Sequence, residues 1–250
     1  MRHALLATGL LALSAATPLS AQTPKSGEDL VKRMHDRYDG KWYRTLTFTQ
    51  TTVRPGRPDQ TWYEAGMIPG KLRIDIAPVD SSNAILYVGD SVYGFRGGQA
   101  RPPRRDRNLL MTLGFDVYGQ PAATTIAQLR EESVDLSRLS SGTWQGAPVW
   151  IVGAAAGDTT SNQFWVSKDK LLFVRLLQQV PTQNGKAVLE AQFNKYEPLA
   201  GGWIAKNVVI KVDGKPVQEE NYADVQANVP LPDSLYRTGA YTRPAWIAHD

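Results

Sequence analysis

From Trp62 to Ile76 the chain reads Trp-Tyr-Glu-Ala-Gly-Met-Ile-Pro-Gly-Lys-Leu-Arg-Ile-Asp-Ile. Its end alternates: Leu72, Ile74 and Ile76 share one side, and Lys71, Arg73 and Asp75 share the other. That period of two predicts a β-strand with one dry face and one wet face. Pro69-Gly70 interrupts the run, so the strand bends or restarts there. Flanking segments repeat the scheme. Trp42 to Val53 reads as a long strand, threonine-rich, with Leu46 and Phe48 on one face. Arg54 to Asp59 is a turn. Ala84–Val88 and Ser91–Phe95 flank Gly89-Asp90 as a hairpin. Later strands are read at 149–152, 163–166, 171–180, 187–196, 203–212 and 216–225, with hairpin turns at Asn184-Gly185 and Asp213-Gly214. The segment 171–180 is apolar on both faces, as expected for a central strand covered on both sides.

The period switches to helical in three places. Ser26 is a natural N-cap for a helix carrying Leu30, Val31, Met34 and Tyr38, with Gly40 beyond its end. Asn108 to Phe115 is a short apolar helix, and Pro121 to Glu132 a second one buried through Ile126 and Leu129. The pattern gives a mainly β (α+β) chain: one long antiparallel sheet whose apolar concave face needs a cover.

Composition changes the picture at the ends. Met1-Arg2-His3, the apolar run Ala4 to Ala16 and the small residues to Ala21 read as a secretory signal peptide, too short for a span. Cleavage is placed after Ala21, with Ala16 as the alternative. Residues 22–236 then form one domain and 237–250 a tail of loop. No later run reaches the roughly 20 apolar residues of a spanning helix. The mature chain is expected to be soluble and exported. The chain has no cysteine, so stability has to come from core burial without disulfides, and no cleavage-site cysteine is present to carry a lipid anchor. The formal charge is +4, and loss of Arg2 with the signal leaves +3. That excess is too small to argue for nucleic acid.

Catalytic signals are sparse. Beyond the signal there are two histidines, His35 and His249, with no metal-ligand spacing. There is no Gly-x-Ser-x-Gly elbow, and Ser140-Ser141-Gly142 lacks a nearby base. The expectation is a non-enzyme with no cofactor and no metal.

The order of elements, with Gly66, Pro69, Arg73, Ile74 and Asp75 on the central strand, resembles the LolA/LolB-like superfamily of outer-membrane lipoprotein carriers and their sensor relatives. The stretches Phe164 to Arg175 and Asn228 to Tyr236 are similar to its sheet end and exit segment. The resemblance implies a half-open barrel with helices over its concave face and a cavity for acyl chains. It departs in two respects: the carrier's latching arginine, just before the central proline, is Ile68 here, and the chain is longer than a minimal carrier, mostly at its tail.

Under that resemblance the apolar cavity and lid fall on Trp62, Leu72, Ile74, Tyr93, Leu109, Leu110, Met111, Leu113 and Phe115. The lid residues equally suit a permanent core. Arg101, Arg104, Arg105 and Arg107 are suited to a lipid headgroup or an acidic partner, because guanidinium pairs well with phosphate and carboxylate. They equally suit a solvated loop. The implied partner is a lipid or an acylated lipoprotein, carried by a monomer. The alternative function is an envelope sensor or scaffold that binds another protein.

Overall fold

A computed structural model describes residues 23–183 and 185–247. The signal-peptide reading and Asn184 of the predicted hairpin turn lie outside the described residues.

The first helix, α1 (Gly27–Tyr38), starts where its cap chemistry places it. The Ser26 hydroxyl accepts the Asp29 N–H at 3.2 Å, and the buried stripe is Leu30, Val31, Met34 and Tyr38. Then come β1 (Thr45–Val53), β2 (Gln60–Met67), β3 (Lys71–Ile76), β4 (Asn83–Val88) and β5 (Ser91–Arg96), followed by the short β6 (Gln99–Ala100) and β7 (Arg104–Arg105). Two helices follow, α2 (Leu109–Gly114) and α3 (Ala122–Glu131). The second half is β8 (Leu139–Trp144), β9 (Ala147–Val152), β10 (Gln163–Ser167), β11 (Phe173–Thr182), β12 (Gly185–Leu199), β13 (Gly202–Val212) and β14 (Lys215–Ala227).

All strands join one antiparallel sheet in the order β6-β5-β4-β3-β2-β1-β14-β13-β12-β11-β10-β9-β8, with β7 beside β5. It is an open sheet, not a closed barrel. The first and last long strands meet in the middle, and each half meanders outward. β7 therefore ends near one edge and β8 begins at the other, so the chain between them has to cross the width of the sheet. α2 and α3 lie in that crossing. Topology thus sets helices over one face, and the main core forms between them and the strands. Leu30, Met34, Leu109, Leu113 and Leu129 pack there against Leu46, Phe164, Val166, Ala191 and Val208. Trp42, read as the start of a strand, instead stacks in this core on Tyr118 with ring centroids 4.0 Å apart.

Three expectations are refined. Of the two options at Pro69-Gly70, the strand restarts: Ile68-Pro69-Gly70 turns the chain into a hairpin that pairs Trp62 with Ile76. β8 carries Ser140 to Gly142; its low hydrophobicity hid it, since an edge strand buries little. The face of β3 expected to be wet is dry. Arg73 and Asp75 are 2% and 1% exposed, joined by two hydrogen bonds of 2.7 and 2.8 Å. The chain from Asp233 to Ile247 covers them. Arg73 also donates to the Leu235 carbonyl at 3.0 Å and the Thr242 carbonyl at 2.7 Å, and lies over the Tyr241 ring. As far as residue 247 the tail is docked on this face, and it satisfies a buried cation that β3 alone could not.

Candidate ligand cavity

The side chains on the helix-facing side of β1 to β4 form rows fixed by register. Phe48 pairs with Glu64, Glu64 with Ile74, and Ile74 with Ile85. The next row runs Leu46, Gly66, Leu72 and Tyr87. Because alternate residues share a face, these rows make a continuous floor, extended by Trp62. β12, β13 and β14 add a wall from Phe193, Ile210, Glu220 and Tyr222. The roof is α2 and the turn after it, through Leu110, Met111, Phe115 and Asp116. The cavity, partly open to solvent, measures about 240 Å³, below the usual range of about 300–1,000 Å³ for small-molecule sites.

Local sequence explains the roof. Asn108 caps α2, its side-chain oxygen accepting the N–H groups of Leu110 and Met111 at 3.0 and 3.3 Å. Leu109 and Leu113, four residues apart, share one face of α2 and enter the core. Leu110 and Met111 lie about 100° or more around the helix and line the cavity. Glycine keeps the space open at two points. A Cβ on Gly66 would sit 2.5 Å from Leu46 Cδ2, and one on Gly114 would sit 2.8 Å from Phe193 Cε1.

Of the residues expected in the cavity and lid, the structure brings Trp62, Leu72, Ile74, Leu110, Met111 and Phe115 around the cavity. Leu109 and Leu113 are core. Tyr93 lies on the opposite face of the sheet, beside Ala84, Leu86 and Phe95. Its strand pairs Gly94 with Ile85, so odd and even positions exchange roles on β5.

The arginines are placed away from the cavity lining. Arg104 pairs with Asp106 at 2.8 Å. Arg107 pairs with Glu131 at 2.7 Å, and Arg105 reaches Glu131 and Glu132 at 3.3 and 3.4 Å. The two adjacent glutamates at the end of α3 thus serve as ion-pair partners. Arg101 is exposed.

Sequence reading missed the cavity's acids. Glu64 is 4% exposed, and among the described residues no hydrogen bond or ion pair reaches its carboxyl. Burial, with Glu220 nearby, pushes that carboxyl well above the usual carboxylate range. Glu220 accepts from the Gln218 amide at 2.5 Å and the Tyr222 hydroxyl at 2.7 Å, and burial raises it too. Asp116 accepts the Gly70 N–H at 3.0 Å, tying the roof to the β2–β3 turn. Burial raises its carboxyl to about 7, against the pull of that hydrogen bond. The carrier's arginine position, Ile68, is apolar and buried. Asp116–Gly70 is the polar tie between roof and turn that this chain does have. The available signal was alternation, since Glu64 sits two residues from Trp62. Glu220 and Asp116 had no such signal, because non-local pairing brings them in.

Among the described residues no helix is long and apolar enough to cross a membrane, and no three metal-ligating side chains cluster. The arrangement is a largely apolar cavity whose buried carboxyls are pushed above the usual carboxylate range.

No family model matches the chain, and no curated protein does. Solved structures do. A DUF1329 family protein from Desulfovibrio piger aligns over 84% of this chain and 95% of its own, with 15% identity and a TM-score of 0.54. A candidate outer membrane lipoprotein-sorting protein domain from Vibrio parahaemolyticus aligns over the same shares, with 12% identity and a TM-score of 0.56. A LolA superfamily protein from Nitrosomonas europaea is also similar, with 13% identity over 85% of this chain and 97% of that one, and a TM-score of 0.48. The fold is LolA-like, shared with these solved structures. The resemblance read from the sequence holds at the level of fold.

Proposed function

We propose that the protein is an exported, periplasmic carrier that holds an acyl chain or similar apolar ligand in the cavity under α2, without covalent chemistry. One observation carries the reading: an apolar floor of sheet side chains remains open beneath a short helix instead of being filled by it. Transfer of a chain into such a space contributes about 0.8 kcal/mol per buried CH₂, so modest enclosure supports useful affinity. Met111 and Leu110 suit a roof that repacks around different ligands, because an unbranched thioether adapts its shape. The likeness to a lipoprotein-sorting domain points the same way and extends the candidate cargo to acylated lipoproteins. Arg101, exposed, and its ion-paired neighbours are candidate contacts for a headgroup or acidic partner.

Native mass spectrometry of the protein purified from its own periplasm, with lipid extraction, tests the reading. Bound lipid is expected in the native protein, and none in Leu72→Trp, which adds an indole to the cavity floor. A bare mass, with no uptake of a fluorescent fatty acid, refutes the carrier reading and leaves a protein-binding module.

A further inference from the structure

The floor of the cavity is apolar except where β2 crosses it. Trp62 and Glu64 are two residues apart on one face of that strand, both lining the space. The Trp62 indole N–H is buried without a hydrogen-bond partner. The Glu64 carboxyl has no hydrogen-bond or ion-pair partner among the described residues, although the residue is only 4% exposed. Buried polar groups in folded proteins nearly always have partners. Glu64 therefore offers an unpaired carboxyl to whatever occupies the cavity, whereas the Trp62 N–H is closed to it.

The charges around the site restrict that atom's chemistry. Glu220 is a second acid on the wall, already committed to Gln218 and Tyr222. Asp116 is a third, at the roof. The cationic residue of the lining, Lys71, is held by Asp233 at 2.8 Å. Arg54 lies over the Trp62 ring and donates to Gln218 and Gln60 at 2.8 Å each. A carboxylate ligand would enter a low-dielectric space already lined with acids and, among the described lining residues, meet one cation, Lys71, which Asp233 already pairs. A plain hydrocarbon would leave the Glu64 carboxyl unmatched. A hydroxyl both accepts from a protonated carboxyl and donates to a carboxyl oxygen.

We propose that Glu64 is the polar anchor of the cavity, and that the preferred ligand is an apolar chain bearing a hydroxyl group. The inference rests on the carrier reading above and names the ligand class for the same site. It makes Glu64 a specificity residue, separate from the apolar surface that supplies affinity.

The test is displacement of the neutral fluorophore N-phenylnaphthylamine from the full protein by decanol, decanoate and decylamine. Decanol is expected to displace at concentrations about tenfold below the other two, a difference of about 1.4 kcal/mol. Glu64→Leu should weaken decanol about tenfold while leaving the fluorophore and decanoate within about twofold. Glu64→Gln should retain decanol, since the amide still donates and accepts at that place. The anchor is overturned if decanoate equals decanol on the native protein, if decylamine binds best, or if Glu64→Leu shifts all ligands equally. Failure of the fluorophore to bind at all removes the carrier reading, and the anchor with it. Binding without preference removes the anchor alone.

Discussion

Replacing Asp116 by Asn removes a proton-binding site while keeping the oxygen that accepts the Gly70 N–H. The carboxyl's rise from an ordinary 3.8 to about 7 corresponds in full to about 4 kcal/mol. The sign follows from linkage. Between those values the folded chain keeps its proton and the unfolded chain has lost it, so stability falls as pH rises through this window. By pH 5 the unfolded aspartate is mostly ionised, so part of the loss has already occurred. From pH 5 to pH 8 the remaining loss is about 2.5 kcal/mol. Asp116→Asn should therefore gain on the native protein by about that amount over the interval. Glu64 and Glu220, also raised, act in both proteins and cancel in the difference. Urea unfolding followed by tryptophan fluorescence reads it, with 7 tryptophans as reporters. With a urea slope of about 2–3 kcal/mol/M, the gap between midpoints should widen by about 1 M. A gap that stays constant with pH, or narrows toward pH 8, refutes the argument that burial of this carboxyl dominates its titration.

Other outcomes follow from the same contacts. Arg73→Ala strands the buried Asp75 without its partner and should destabilise by about 3–5 kcal/mol. Its protease sensitivity should rise first between Leu235 and Thr242, which the guanidinium holds; an unchanged midpoint and cleavage pattern would show that the tail is held by other means. Tyr118→Phe leaves the buried Phe173 N–H without the hydroxyl that accepts it at 2.8 Å. A loss of about 1–3 kcal/mol is expected in the same unfolding assay, and a neutral change would contradict that role.

Much of this fold was written in local pattern. Alternation marked most of the long strands, and the dry face of β3 was read correctly at Leu72 and Ile74. Ser26 announced the first helix through cap chemistry that involves only neighbouring residues; the Asn108 cap was found only in the structure. The apolar character of Leu109 to Phe115 was equally plain, yet nothing local could separate the core pair Leu109 and Leu113 from Leu110 and Met111 beneath the roof. That division depends on how the helix is turned against strands far away in the chain. Tyr93 failed for a related reason: which of two alternating faces points inward is set by register with the neighbouring strand.

Sequence alone determined element types and the apolar faces, because period and cap chemistry act over a few residues. Tertiary structure alone decided what those faces enclose. Pairing β1 with β14 brings Glu220 and Tyr222 to the wall that Glu64 faces, and it makes the chain cross the sheet as a roof. It also lays the tail over Arg73 and Asp75, turning an apparent wet face into a buried ion pair. Burial and charge proximity are properties of assembled surfaces, so the raised carboxyls and the open cavity exist only once distant strands have met.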